Sequence, residues 1–271
     1  TGSLTLADSV TTSGSGAVTT LTAGKDIVQE AGSRVSSDAL RLQAGGDATL
    51  ETATNTVGTL AASTGGKLSY VDADALRVGT VTTTSGPASL LGSTVGVSAA
   101  GATTLQTLDG TTGSLTLADS VTTSGSGAVT TLTAGKDIVQ GAGSRVSSDA
   151  LRLQAGGDAT LETATNTVGT LAAEVATGDL RFVNAQALAI GSVTTSTAAA
   201  AGTTDGARTA SAGRHISLQS LAGDISINQQ LRTTADAGGT DTATLSAAGG
   251  ITQSSSAGAA LSASQLRVLT A

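Results

Sequence analysis

The 271-residue chain contains no Cys, no Met and no Trp, a single Pro, and only two aromatic residues, Tyr70 and Phe182. Each absence excludes something. Without Cys there is no disulfide framework and no zinc–thiolate site. Without large aromatics, a thick globular core has little to fill it. The remaining apolar set of Leu, Val, Ile and Ala suits an interior only one or two side chains deep. Charge is sparse and acidic, with 20 Asp plus Glu against 13 Lys plus Arg. No basic cluster exists to draw a nucleic acid or an anionic membrane. No apolar run approaches the roughly 18 residues of a membrane span, which argues against membrane insertion. The lack of an initiating Met and of a signal peptide points to a processed or excised piece.

What the chain has instead is repetition. Residues 1–62 recur as residues 112–173 at a constant offset of 111, with one difference, Glu30 against Gly141. The pattern persists beyond the identity. Lys67–Val81 answers to Asp179–Val193 at an offset of 112, with Tyr70 and Phe182 in the same place. A second copy of a surface adds little to an enzyme, whereas copies in a rod add length. The unit is about 111 residues, and residues 1–271 are expected to form one continuous structure.

Within the unit, apolar and small polar residues alternate in short bursts such as Leu4-Thr5-Leu6, Leu40-Arg41-Leu42, Ile216-Ser217-Leu218 and Ile225-Ser226-Ile227. This is the mark of half-buried strands. Gly-rich breaks separate them, at Ser13-Gly14-Ser15-Gly16, Ala44-Gly45-Gly46-Asp47 and Ala248-Gly249-Gly250. Glycine and β-branched residues in this density oppose helix. Leu42, Leu60, Val78, Val97 and Leu115 follow one another at 18 or 19 residues. The expected fold is therefore all-β, a right-handed parallel β-helix with rungs of about 18–20 residues. That length predicts 14 or 15 rungs and a rod of about 70 Å. From about residue 194, the Ala-Ala-Ala-Ala-Gly-Thr-Thr-Asp-Gly stretch reads as a longer loop.

Phrases such as Thr22-Ala23-Gly24-Lys25-Asp26-Ile27, Leu42-Gln43-Ala44-Gly45-Gly46-Asp47-Ala48-Thr49-Leu50 and Ala247-Ala248-Gly249-Gly250-Ile251-Thr252-Gln253 resemble the degenerate rungs of filamentous haemagglutinin-type exoproteins. These are large adhesins exported by two-partner secretion in Gram-negative bacteria. The resemblance implies the shaft of a secreted or surface-held adhesin, active in attachment to cells, matrix or biofilm. It implies an outer-membrane transporter as partner during export, flanking rungs of a longer exoprotein, and extracellular polysaccharide or a neighbouring or host cell surface as the thing bound. The family's Asn-Pro-Asn secretion signature has no counterpart, since the one Pro is Pro87 in Ser-Gly-Pro-Ala.

Catalytic readings find little support. His215, the only His, alternates with Ile216 and is expected to face solvent. Asp72 and Asp74 lie two apart, as general acid/base or Ca²⁺ chemistry would need. Their counterparts, however, are Asn184 and Gln186, which keep polarity and lose charge. An exposed polar face is expected there. Ala-Gly-Gly-Asp at 44–47 and 155–158 lacks the third Gly and the nine-residue recurrence of calcium-binding repeats. Gly24-Lys25 lacks the remainder of a phosphate loop. Threonine pairs at 11–12, 19–20 and 82–84 invite an ice-binding reading, but Thr-x-Thr does not recur at the rung period. No catalytic, cofactor-binding or metal-ligating residue is therefore assigned, and no cofactor. A structural rod is expected, with a polysaccharide- or receptor-gripping face as the alternative.

Overall fold

A computed structural model describes residues 2–256 and 258–270. Strand accounts for 55% of the chain and helix for 2%, arranged as a parallel β-solenoid of about 12 turns. At about 4.8 Å per turn the rod is about 55–60 Å long, shorter than the sequence spacing predicts. One reason is that turns vary. Leu60 stacks on Val78 after 18 residues, but Thr104 stacks on Thr131 after 27. The other is that two segments leave the stack altogether.

The section has three sides. On the first, Val18–Ala23 pairs with the second half of Val35–Ala44, and that with the second half of Thr56–Thr64. On the second, Leu4–Leu6, Ile27–Gln29, Ala48–Leu50 and Leu68–Asp72 stack in register. On the third, Val10–Thr11 stacks under Val35 and Ser36, and Ser36 under Thr56. Alternation explains the interior. Leu21, Leu42 and Ala62 share an inward column, as do Leu50, Tyr70 and Leu105. Most of the buried apolar residues form one continuous cluster along the rod.

Val78 and Val97 are not successive rungs, contrary to the spacing argument. Between them, Thr80–Thr83 and Gly92–Val95 form an antiparallel hairpin with a 3-10 turn, Ala88–Leu90, near its tip. The flanking strands Leu76–Val78 and Val97–Ala99 lie side by side on the preceding strand Thr56–Thr64. Gly96 N–H bonds to Gly79 O and so closes the neck of the hairpin. The stretch after 194, expected to be a loop, is the same device: Ser192–Thr195 pairs antiparallel with Gly202–Asp205, necked at Gly191 and Gly206. Gly96 and Gly206 have φ of 63° and 74°. A Cβ at either would also strike backbone oxygen, Ser120 O at 2.3 Å or Gln230 O at 1.9 Å, so only glycine fits these necks.

The hairpin splits one side of the rod into two. Leu76–Val78 continues upward through Leu115–Leu117 and Ile138–Gln140, while Val97–Ala99 continues through Val121–Thr123 to Val146. The old third side ends at the same level, so three sides remain. Leu42 climbs through Ala62, Val97 and Val121 to Val146, four turns up. Its counterpart, Leu153, lies one side further round. Each unit therefore makes four turns and about a third, and successive hairpins occupy successive sides.

Candidate functional site

The Ala-Gly-Gly-Asp corners are locks. Asp26 Oδ1 accepts the backbone N–H of Asp47 at 2.9 Å, and Asp47 Oδ1 accepts that of Lys67 at 2.7 Å. In the second unit Asp137, Asp158 and Asp179 accept from Asp158, Asp179 and His215 in turn. A Cβ on Gly46 would lie 2.2 Å from Asp26 Oδ1, so this glycine makes room for the carboxylate below it. The aspartates satisfy N–H groups that the bend takes out of the sheet ladder. His215 is exposed, as its alternation with Ile216 predicts, and its Nδ1 accepts the N–H of Thr242 at 3.2 Å.

Asp72 corrects the expectation of an exposed polar pair. Asp74 is exposed, but Asp72 is fully buried, as is Asn184. The cause lies where the third side ends. Val57, the last residue there, has no strand above it, and its N–H donates to Asp72 Oδ2 at 2.9 Å. Asp72 Oδ1 takes the N–H of Asp74, and Tyr70 O–H donates to Oδ2 at 2.8 Å. Asn184 terminates the next such side, accepting from Val168 N–H at 2.9 Å and donating Nδ2–H to Val168 O and Gln186 O. Phe182 replaces Tyr70 where the amide replaces the carboxylate. Burial lifts Asp72 to about 6, against the pull of the N–H groups of Asp74 and Val57 and of the Tyr70 hydroxyl. Tyr70 is raised as well, by burial first and then by Asp72. The shift marks a column terminator with no substrate-facing surface.

Two buried polar groups escaped sequence reasoning. The first is an amide pair, Gln29 with Asn55, in which each side chain donates to the other, at 2.7 and 3.0 Å. Asn55 also receives Val35 N–H and donates to Val71 O. Gln140 and Asn166 repeat it. The second is an arginine under each hairpin. Arg41 is 4% exposed and Arg152 5%. Arg41 Nε donates to Thr94 Oγ1 at 2.8 Å and Nη1 to Leu90 O at 2.6 Å. Arg152 donates to Thr204 Oγ1 and Ala200 O at the same two distances. Neither makes a carboxylate salt bridge. Burial pushes Arg152 below its ordinary value, and nearby Glu174 partly restores it. Threonines complete each seat, with Thr20 against Thr83 at 2.6 Å and Thr131 against Thr195 at 2.5 Å. Two of the threonines that suggested ice binding, Thr20 and Thr83, are spent on these contacts. The available signal was Leu-Arg-Leu, a charge alternating with inward leucines in both copies.

Among the open concave surfaces are two grooves at equivalent corners. One of about 390 Å³ is lined by Thr11, Ser13, Ser36, Asp38, Thr56 and Asp74 among others. Its counterpart, about 520 Å³, includes Ser124, Ser147, Asp149, Thr167 and Gln186. Their hydroxyls stack in register, Thr56 Oγ1 donating to Ser36 Oγ and Thr167 Oγ1 to Ser147 Oγ at 2.9 Å. Asp38 and Asp149 accept the N–H of Gly16 and Gly127. The first groove offers hydroxyls with two carboxylates, Asp38 and Asp74, the second hydroxyls with Asp149 alone, and neither lining includes a histidine. Among the described residues no three His, Cys, Asp or Glu converge as metal ligands, and no helix is long and apolar enough to cross a membrane.

The fold and these corners define a parallel β-solenoid repeat protein. The chain matches no protein-family model, and neither the curated proteins nor the solved structures compared with it include a similar one.

Proposed function

We propose that this chain is a rod segment of a large secreted or surface-held bacterial adhesin of the filamentous haemagglutinin type, and that its work is mechanical rather than enzymatic. The observation that carries this is where its corner aspartates and buried polar side chains go. Asp26, Asp47, Asp72, Asn55, Gln29, Arg41 and their counterparts are spent on corners, column ends and hairpin seats. Such a rod spaces a binding element from the cell, or links cells within a matrix, and an outer-membrane transporter would export it. The two hydroxyl-lined grooves favour a second reading, in which the rod itself grips extracellular polysaccharide through polar contacts. The deciding experiment is binding of the labelled, folded chain to producer cells and to isolated extracellular polysaccharide across a salt series. The rod reading expects no saturable binding. Saturable binding lost on Ser36→Asp and Ser147→Asp substitution would replace it with the groove reading.

A further inference from the structure

The two hairpin seats share one register. Thr20 stacks under Arg41, and Thr131 under Arg152, with Thr104 beneath Thr131. The hairpin crosses these rungs from above and closes over them. In the second unit it reaches down to Thr104, which bonds Thr197 Oγ1 at 2.7 Å. The contacts are of one kind: hydroxyl to hydroxyl, and guanidinium to a hairpin threonine and a tip carbonyl.

A third seat stands near the far end of the rod. Ser217 stacks under Thr244, and Thr244 under Arg267. The strand Gln265–Thr270 reads QLRVLT where the second unit has ALRLQA and the first has ALRLQA again. Leu266 and Val268 flank Arg267 as Leu151 and Leu153 flank Arg152. This column lies on the side that neither hairpin occupies, the side the one-third rotation assigns to a third. Yet Arg267 is exposed and Thr244 half-buried, whereas Arg152 and Thr131 are buried. Among the described residues no hairpin covers the seat.

We propose that Ser217, Thr244 and Arg267 form a docking surface for a threonine-bearing antiparallel β-hairpin of the kind that closes over Arg41 and Arg152. Its occupant must bring a hydroxyl to Arg267 Nε, a carbonyl oxygen to Nη1 and a hydroxyl to Thr244. An isolated hairpin is marginally stable in water, so a further unit of this repeat is the carrier that presents one preformed.

The test fuses a copy of residues 157–215 behind Ala271, which sets a hairpin as far from Arg267 as Ser192–Asp205 is from Arg152. A control fusion joins the neck glycines directly and omits the hairpin. Both keep the added rungs, so they differ only in the occupant. Modification of Arg267 by phenylglyoxal, followed by peptide mass spectrometry, should be about tenfold slower with the hairpin than without, as one charge-assisted contact provides. In the full fusion, Arg267→Ala should make the hairpin tip newly sensitive to thermolysin, a measurement that stands even if the control fusion folds poorly. Equal modification rates in two folded fusions, or a tip cut no faster in Arg267→Ala, would overturn the proposal.

Discussion

Residues 1–62 and 112–173 are nearly the same words in different company. Leu6 and Leu21 keep 7% and 8% exposure, while Leu117 and Leu132, their counterparts, keep none. Thr20 is half-buried and Thr131 fully buried. The difference is the rung beneath. Thr103–Thr107 lies under Val129–Ala134, and among the described residues nothing pairs with the lower edge of Val18–Ala23. Local sequence sets which residues form strand and which face turns inward. Stability in a solenoid then comes from the neighbouring rung, as in a one-dimensional array.

The largest expected effect tests that statement directly. Leu132→Ala removes a side chain enclosed above and below and should cost about 3–4 kcal/mol. Leu21→Ala, the same letter in the same frame, should cost less, because the space it leaves opens toward the unpaired lower edge instead of forming an enclosed cavity. Denaturant unfolding of the two variants measures both. Equal losses would mean that burial by the rung below contributes little.

Next comes the column end, where the units differ in chemistry. Asp72 stands at about 6 when folded against an ordinary 3.8. A raised carboxyl favours the folded chain fully below about pH 4, and that contribution is lost as pH rises through 6. The loss is about 2–3 kcal/mol by pH 7.5, at about 1.4 kcal/mol per pKa unit. Tyr70→Phe with Asp72→Asn, which writes the second unit's solution into the first, should flatten this slope. Denaturant midpoints of both chains at pH 4 and pH 7.5 decide it. A slope unchanged by the double substitution would remove Asp72 from the account.

The hairpin seats give a smaller contrast. Arg152→Ala leaves Thr204 Oγ1 and Ala200 O without their donor, at a cost of about 2 kcal/mol. The measurable consequence is faster proteolysis within 192–205. Arg41→Ala should free residues 80–95 of this chain more completely, since the second hairpin keeps its Thr197–Thr104 contact and among the described residues no rung lies beneath the first hairpin's tip. Leu91, in that tip, is already 43% exposed.

How much of this was legible follows from what alternation encodes. Leu4-Thr5-Leu6 and Ile225-Ser226-Ile227 announce their strands, since inward and outward positions differ in polarity. The hairpins stayed hidden because Thr80–Thr83 and Ser192–Thr195 alternate just as rung strands do. Nothing in that pattern distinguishes an antiparallel partner from a parallel one. Asp72 could have been placed, since it follows the inward Leu68 and Tyr70 at steps of two. Treating it with Asp74 as an exposed pair overlooked that parity. The amide pair Gln29–Asn55 lies 26 residues apart in sequence, and the one-third rotation needs the register of four turns, so neither is visible locally. The third unit was masked by divergence, with only the Thr-to-Arg step of Thr244 and Arg267 preserving the seat.

The smallest expected effect concerns the one letter that separates the identical stretches. Glu30 is exposed, and its N–H bonds to Leu6 O; Gly141 N–H bonds to Leu117 O, the counterpart. A Cβ on Gly141 would sit 3.2 Å from Leu117 O and 3.3 Å from Ala118 Cα. The contact is tight, but its φ lies outside the left-handed region that favours glycine, and the first unit accepts Glu on the same backbone. Gly141→Glu should therefore change stability by no more than about 0.5 kcal/mol, the range for a surface substitution. A loss several times larger, read from the same denaturant midpoints, would mean that the rung beneath the second unit tightens this corner. Neighbouring rungs would then reach the corners as well as the core.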